Sequence, residues 1–467
     1  MEMMQKIIKF MGIEMNRKWL LKFGLSWLLP LMAVISRPMG LDLRQSVLVG
    51  ILILTVIWWS ASVIAKIPAS LFLLAGFVLL QAAPLTVIFS FPLSESFFLI
   101  VLTYVFSKGI VNSGLIEKLI EPRLLRWCTS PVKILLVILL LYVATIYIIP
   151  QPLARLIIIS NIMDAFLKET DLPDETRGIL MYAVFAFYTL VNIGFLDADL
   201  IMNRAAVGFG GQTITNFQWM KYMLVPTILY ISLVLVIFVL LFRKELVGIR
   251  VQARKEEKLN RQHQLEGKDW RIIAALAVVV LLWMTSQWHG ISPLLVTVVG
   301  IGIMYFYRIL QPKDFLAIDG ATLIFLTAAF SIGGAMKGSG VADKVFGLIR
   351  FVFPTQFGLP YLLVIVLVGM IMHMILGSNV TTLSVVTPGL LVLGNGLFSG
   401  ELLVYILIVT VSFHAILPFH NVAIMIGSSK GYYPVKYVSK VGLAVTPLVF
   451  LAAVLFYYPW WLWLGLK

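Results

Sequence analysis

The chain has 467 residues, of which 60% are hydrophobic and only 12% are charged, and its mean hydropathy is +0.99. A soluble globular domain cannot bury that much apolar surface, so the composition excludes one and predicts an all-α polytopic membrane protein. The net charge of +14 does not indicate nucleic-acid binding, because the basic residues flank apolar segments that are long enough to cross a bilayer.

The first half of the chain contains six apolar segments that are long enough to cross a bilayer as helices. These segments lie at about 20–36, 45–65, 69–90, 97–112, 178–201 and 219–242. Another apolar stretch, 132–167, is interrupted near its middle by Pro150 and Pro152. We interpret it as a re-entrant hairpin, because non-helical backbone survives at membrane depth only where protein or a water-filled cavity covers it.

The tip of this first hairpin carries Gln151 and Arg155. A cation at membrane depth is costly, so Arg155 is expected to pair with an anionic substrate or to replace a bound cation. Two other interpretations stay open, in which the Arg155 side chain reaches the cytoplasmic surface or pairs with Asp164.

The crossing after this hairpin has a polar interruption that runs from Asn192 to Asp199. Gly194 would let the helix unwind there, and Asp197 and Asp199 would then share a site that binds a cation or carries protons. In the alternative interpretation, the two carboxylates lie at the outer interface near Arg204 and are solvated.

A basic stretch at 243–270 separates the two halves and is expected to be a cytoplasmic linker. If the N-terminus is cytoplasmic, six crossings return the chain to the cytoplasm at this linker, and most of the 36 Lys and Arg residues then lie inside. This arrangement divides the chain into an N-terminal cytoplasmic arm with the first span (1–44), a first repeat (45–242), the linker, and a second repeat (271–467).

The second half contains five further apolar segments, which gives about eleven transmembrane helices and places the C-terminus outside. The segments lie at about 271–288, 292–307, 316–336, 402–427 and 440–464. A second interrupted stretch, 359–397, is interpreted as another re-entrant hairpin. Its tip is Gly377-Ser378-Asn379-Val380-Thr381-Thr382, whose neutral oxygens and amide can bind Na⁺ or hydrogen-bond a carboxylate. Alternatively, these residues only hold neighbouring helices together.

The crossing after the second hairpin contains Leu417-Pro418-Phe419-His420-Asn421. Pro418 is expected to break the helix, so that His420 and Asn421 face a cavity in which a histidine can carry a proton or donate to an anion. The alternative for His420 is a core histidine whose hydrogen bonds are satisfied. His373, early in the second hairpin, is interpreted as structural.

The two halves of the chain are similar to each other. Asn112-Ser113-Gly114 resembles Gly338-Ser339-Gly340, and Ile149 and Ile375 precede the two hairpin tips; the last glycines and the isoleucines are each 226 residues apart. With the first span set aside, each half has about five crossings, and an odd number makes the second repeat enter from the opposite face. Inverted repeats of this kind support alternating access to a site near the midplane.

No motif indicates an enzyme, because the sequence lacks a metalloprotease His-Glu pair, a nucleotide-binding loop and a nucleophile elbow. The single cysteine, Cys128, excludes an intrachain disulfide and a cysteine-based metal cluster. The favoured function is therefore secondary active transport of a small anion that is coupled to Na⁺ and/or H⁺. The alternatives are an anion antiporter or exporter, and a membrane scaffold or receptor that does not transport.

The chain resembles the divalent anion/sodium symporter family, which belongs to a superfamily of inverted-repeat ion transporters. The resemblance covers almost the whole chain in order and is carried by motifs at 215–221, 330–343, 377–382 and 417–421. It implies a homodimer in which each protomer has a scaffold domain and a transport domain that moves like an elevator. It also implies one site for a dicarboxylate, tricarboxylate or sulfate and for Na⁺ ions, at the two hairpin tips and the two broken crossings.

This sequence departs from the family pattern at the first Na⁺ site. The first hairpin has Gln151-Pro152-Leu153 where Ser-Asn-Thr is expected, and the first broken crossing has Phe195-Leu196-Asp197 where a loop rich in Gly, Thr and Pro is expected. One hypothesis is that Arg155, or protons on Asp197 or Asp199, replaces the first ion. The second tip keeps the motif, and the resemblance implies that its residues contact the substrate and a second Na⁺.

These arguments define the expected site and setting. Substrate contacts are expected at Gln151, Arg155, Ser378, Asn379, Thr381 and His420. Cation contacts are expected at Asn192, Asp197, Gly377, Ser378, Asn379, Thr382, Pro418 and Asn421, with Na⁺ at the second-repeat site. We expect no resident cofactor, no use of ATP and no nucleic-acid partner. The predicted location is the plasma membrane, or the inner membrane if the source is prokaryotic.

Overall fold

The computed structural model describes most of the chain. The described residues are 17–61, 63–115, 118–120, 124, 127–252, 267–285, 289–347, 350–394, 396–412, 414–417 and 420–466. They are 78% helical and contain no strand, which confirms the prediction of an all-α fold. Pro418, the first 16 residues and most of the linker (253–266) lie outside the described residues.

The helices of the first half are labelled in chain order. They are α1 Arg17–Ser26, α2 Leu28–Ser36, α3 Leu43–Ala61, α4 Lys66–Leu79, α5 Leu85–Ile88, α6 Glu95–Ser113, α7 Pro131–Thr145, α8 Pro152–Lys168, α9 Asp174–Ile193, α10 Asn203–Phe209, α11 Asn216–Leu241 and α12 Arg243–Leu246. The predicted segment at 69–90 ends as a helix at Leu79, and Gln81 then turns the chain with a positive φ of 48° before α5.

The helices of the second half continue the numbering. They are α13 Gly267–Met284, α14 Pro293–Phe306, α15 Gly320–Gly338, α16 Val341–Gly347, α17 Leu359–Leu376, α18 Asn379–Leu393, α19 Gly400–Ser412, α20 Val422–Ser429, α21 Val435–Ala452 and α22 Tyr458–Trp463. A π-helical turn, Ala453–Tyr457, joins α21 to α22 and makes them one long helical segment.

Within the described residues, six helical segments are long and apolar enough to cross a membrane. They are Trp19–Ser36, Asp174–Ile193, Asn216–Leu241, Gly320–Gly338, Leu359–Leu376 and Val435–Trp463. Seven shorter apolar helices of 10–17 residues accompany them. Many apolar helices in one chain are typical of a multi-pass membrane protein, and the figure of about eleven crossings stays a prediction.

The two halves have matching orders of helices. α6 and α15 begin 225 residues apart, α8 and α18 begin 227 apart, and α9 and α19 begin 226 apart. Each half therefore contains a long helix, an interrupted helical pair and a crossing that is interrupted in turn. The 226-residue spacing seen in the sequence motifs is thus also the spacing of the helices that follow them.

The two helices that lead into the broken crossings lie at the centre of the protein. α9 is buried along most of its length, and α19 is buried from Leu402 to Ser412. By contrast, α1 and α2 expose large apolar side chains such as Leu29 and Ile35, which is expected of a face in contact with lipid. The polar interruptions after α9 and α19 are therefore held inside the molecule.

Candidate functional site

The tip of the second hairpin is a tight break between α17 and α18. Gly377 ends α17 in the left-handed conformation, with a φ of +63° that favours glycine. Ser378 then caps α18: its hydroxyl accepts from the Thr381 N–H at 3.5 Å, and its carbonyl accepts from the Thr382 hydroxyl at 2.8 Å. The first N–H groups of α18 therefore lie at the tip, where the helix dipole favours negative charge.

A cluster of buried histidines holds Asn379 at this tip. Nε2 of His373 lies 2.8 Å from Oδ1 of Asn379, and Nδ1 of His373 lies 3.2 Å from Nε2 of His414. The backbone carbonyl of His420 also lies 3.0 Å from Nε2 of His373. On its other side, Asn379 Nδ2 donates to Sδ of Met202 at 3.3 Å, which links the second hairpin to the first half.

The tip of the first hairpin is wider, because residues 146–151 separate α7 from α8. The side-chain oxygen of Gln151 caps α8 by accepting from the Ala154 N–H. The Gln151 N–H donates to the Ser107 hydroxyl at 3.1 Å. Gln151 is therefore used to shape the tip.

Arg155 is completely buried behind the first tip. Its Nη1 donates to the carbonyls of Ile146 and Ile149 at 3.3 and 3.1 Å. Its Nη2 donates to Oδ1 of Asn192 at 2.8 Å and to the carbonyl of Ala198 at 2.5 Å. The guanidinium group therefore fills the space among four oxygens and ties the first hairpin to the first broken crossing.

Two carboxylates of the first half have their own partners. Asp164 accepts from the Lys168 ammonium at 2.7 Å, one helical turn away, so it is not the partner of the buried arginine. Asp197 forms an ion pair with Arg204 at 2.6 Å and accepts from Nδ2 of Asn216 at 2.6 Å. This matches the interpretation that placed Asp197 near Arg204.

The second broken crossing contains an unwound stretch between α19 and α20. Asn421 caps α20: its Oδ1 accepts from the N–H groups of Ala423 and Ile424 at 2.9 and 3.3 Å. In the first broken crossing, the equivalent unwound stretch holds Asp199, which accepts from the Met202 N–H at 2.9 Å. Both interruptions thus start a new helix inside the protein.

One cavity of about 130 Å³ joins these elements. It is lined by Lys66, Pro152, Leu153, Tyr188, Thr189, Asn192, Asp199, Ile201, Met202, Thr322, Phe325, Ser378, Asn379, Val380, Asn421, Val422 and Ala423. Both hairpin tips and both broken crossings contribute to the lining. We refer to it as the central cavity.

The structure places only some of the predicted site residues on the wall of the central cavity. Asn192, Ser378, Asn379 and Asn421 line it. The predicted residues that are not among its lining are Gln151, Arg155, Asp197, Gly377, Thr381, Thr382 and His420. Most of these lie directly behind the lining residues, where they hold the tips and caps in place.

Sequence reasoning missed Lys66, which lines the central cavity from α4. Its ammonium group lies 5.3 Å from the centre of the Phe325 ring. A signal was present, because a lysine at the start of an apolar helix is a cation close to the membrane interior. Lys66 and Asp199 are the two charged side chains on the cavity wall.

Two larger cavities of about 580 and 590 Å³ lie elsewhere. The first is lined mainly by charged and polar groups at the ends of α6 and α14, including Lys108, Arg308 and Asp314. The second lies between the C-terminal end of α10 and α15. Neither one combines the two hairpin tips, so we assign the site to the smaller central cavity.

Apolar helices that enclose a polar cavity between two interrupted hairpins and two interrupted crossings have the construction of a multi-pass membrane transporter. The family model for the sodium:sulfate symporter transmembrane region matches residues 16–467, and the chain belongs to this family. This confirms the resemblance predicted from the sequence, and it confirms that the protein is a transporter and not an enzyme. A search of the curated proteins finds none that matches the chain.

Proposed function

We propose that the protein is a secondary active transporter that carries a small di- or tricarboxylate or sulfate, coupled to Na⁺ and/or H⁺. The observation that carries this proposal is the central cavity, because residues of both hairpin tips and both broken crossings line it. A site built by two duplicated halves can be closed on one side of the membrane while it opens on the other.

The helix ends and charges around the central cavity support an anionic substrate. α18 and α20 both begin at its wall, so two helix N-termini direct N–H groups and positive dipole ends toward it. Lys66 adds a positive charge on the wall, and Arg155 adds another directly behind Asn192. Against one carboxylate, Asp199, these groups leave the surroundings of the cavity positive.

The position of Arg155 supports replacement of the first coupling ion. Broken helices bind Na⁺ through carbonyl and side-chain oxygens, and four such oxygens, from Ile146, Ile149, Ala198 and Asn192, surround the guanidinium. Because these oxygens already accept from a cation, the first site does not fit an additional Na⁺. We propose that Arg155 is a fixed charge in place of one ion and that fewer Na⁺ ions are carried.

The proposal includes the arrangement in the membrane. The equal spacing of corresponding helices supports two repeats, and the odd number of predicted crossings in each makes them inverted. The N-terminus and the linker are cytoplasmic, and the C-terminus is outside. A homodimer with elevator-like movement of the hairpins is what the family resemblance implies.

An anion antiporter or exporter is the second candidate, and Arg155 is the observation that favours it. A fixed positive charge is costly to move across a membrane without a counterion. The empty site would therefore return slowly, and a second anion on the other side would speed its return. A membrane scaffold without transport is the remaining alternative.

Transport into proteoliposomes tests the proposed function. We expect labelled sulfate or dicarboxylate to accumulate when a Na⁺ or a pH gradient is imposed separately. Asn379→Ala should abolish uptake while the protein stays folded, because the change removes an amide from the cavity wall. Asn112→Ala, an exposed position at the end of α6, is the matched control and should transport as the wild type does. Wild-type uptake by the Asn379→Ala variant would contradict the carrier and favour a scaffold.

A further inference from the structure

Three asparagines on the wall of the central cavity have their side-chain oxygens occupied. Oδ1 of Asn192 accepts from Arg155, and Oδ1 of Asn421 accepts from two backbone N–H groups of α20. Oδ1 of Asn379 faces Nε2 of His373 at 2.8 Å. The three residues come from different elements: the end of α9, the start of α20 and the start of α18.

The partners decide which amide atom points away from the cavity. A guanidinium and a backbone N–H can only donate, so the atoms facing them in Asn192 and Asn421 are oxygens. Nε2 of His373 lies within 3.0 Å of the His420 carbonyl as well, and a nitrogen between two oxygens carries a hydrogen. Asn379 therefore also turns its oxygen toward a donor.

Each of the three amides is left with its NH₂ group for the cavity. Nδ2 of Asn192 is buried and has no partner within hydrogen-bond distance among the described residues. Nδ2 of Asn379 contacts only the sulfur of Met202, which is a weak acceptor. A buried donor without an acceptor is unfavourable, so this surface is suited to a ligand that brings oxygens.

We propose that the NH₂ groups of Asn192, Asn379 and Asn421 form a donor surface for one carboxylate or sulfate group, and that these three amides do not coordinate Na⁺. The inference rests on the proposed function and specifies how its site recognises the anion. It differs from the sequence-based expectation, in which the same three asparagines contact a cation. Its consequence is that the anion binds without Na⁺.

Substitution of asparagine by aspartate tests this proposal, because it exchanges the NH₂ for an oxygen of the same size. In Asn379→Asp and Asn421→Asp, the histidine and the helix N–H groups keep an acceptor, so folding should be retained. The cavity, however, would present a negative oxygen to the anion. Asn112→Asp adds the same charge at an exposed site outside the cavity and is the matched control.

The measurement is the affinity of the purified protein for sulfate and succinate by titration calorimetry. It is made with sodium and with tetramethylammonium salts at equal ionic strength. We expect the wild type and Asn112→Asp to bind equally well in both salts. Asn379→Asp and Asn421→Asp should bind about 100-fold more weakly, or not measurably, because a hydrogen bond to a charged group is replaced by repulsion.

The outcomes separate the inference from the proposed function. Binding by the wild type only in sodium salts would overturn the inference and leave the carrier intact. Unchanged or tighter binding by the aspartate variants in sodium would also overturn the inference, because it is the behaviour of cation ligands. If the folded wild type binds no divalent anion in either salt, the proposed function fails and the inference fails with it.

Discussion

Replacing Arg155 by alanine is expected to lower the free energy of unfolding by about 3–5 kcal/mol and to make the remaining stability depend on Na⁺. The variant leaves the carbonyls of Ile146, Ile149 and Ala198 and the oxygen of Asn192 without their donor. Unpaired buried oxygens are costly. A set of oxygens around a vacated space is also what a small hard cation prefers, so Na⁺ should occupy the place of the guanidinium.

Thermal unfolding of the purified protein in sodium and in choline chloride measures this effect. We expect the midpoint of Arg155→Ala to rise in sodium, whereas the midpoint of the wild type stays the same in both salts. Arg177→Ala is the matched control, because Arg177 lies at the partly exposed start of α9 and its ion-pair partner, Asp174, is exposed. Equal midpoints of Arg155→Ala in the two salts would contradict the role of Arg155 as a replacement for an ion.

Gly442→Ala is expected to lower the free energy of unfolding by about 1–3 kcal/mol and to weaken anion binding. Gly442 lies on α21, where an added Cβ would be 2.2 Å from the carbonyl oxygen of Ala415 and 2.8 Å from Cα of Ile416. These are backbone atoms, and they cannot rotate away as a side chain would. They belong to the second broken crossing, so the strain would be transmitted toward Asn421 and the central cavity.

Gly302→Ala is the matched control for this prediction. Gly302 lies on α14 with nothing within 4 Å of an added Cβ, so the change should be neutral or slightly stabilising through helix propensity. Thermal unfolding of both variants, with and without sulfate, separates loss of stability from loss of binding. If Gly442→Ala unfolds and binds as Gly302→Ala does, the close packing of α21 against the break has no energetic role.

The breaks in the helices could be predicted from the sequence because they follow from the chemistry of single residues. Gly377 ends α17 in the left-handed conformation, and Pro152 starts α8. Both residues interrupt apolar runs that would otherwise continue as helices. The capping residues Ser378 and Asn421 were recognisable for the same reason, since serine and asparagine are favoured N-caps.

The partners of the polar side chains could not be predicted, because they lie far apart in the chain. Arg155 contacts oxygens of residues that are between 6 and 43 positions away. The hypothesis that it replaces an ion could be stated from the sequence, but the alternatives of Asp164 and Asp197 carried equal weight. Lys66 reaches the cavity from α4, and no local pattern connects that helix with the hairpin tips.

Counterflow in proteoliposomes tests most directly whether the central cavity is an anion transport site. Vesicles are loaded with unlabelled sulfate or succinate, and a trace of the labelled anion is added outside without any cation gradient. The wild type should accumulate label transiently, because exchange through one alternating site needs only anions on both sides. Asn379→Asp should accumulate none. Absence of counterflow with the folded wild type, for sulfate and for di- and tricarboxylates, would contradict the account.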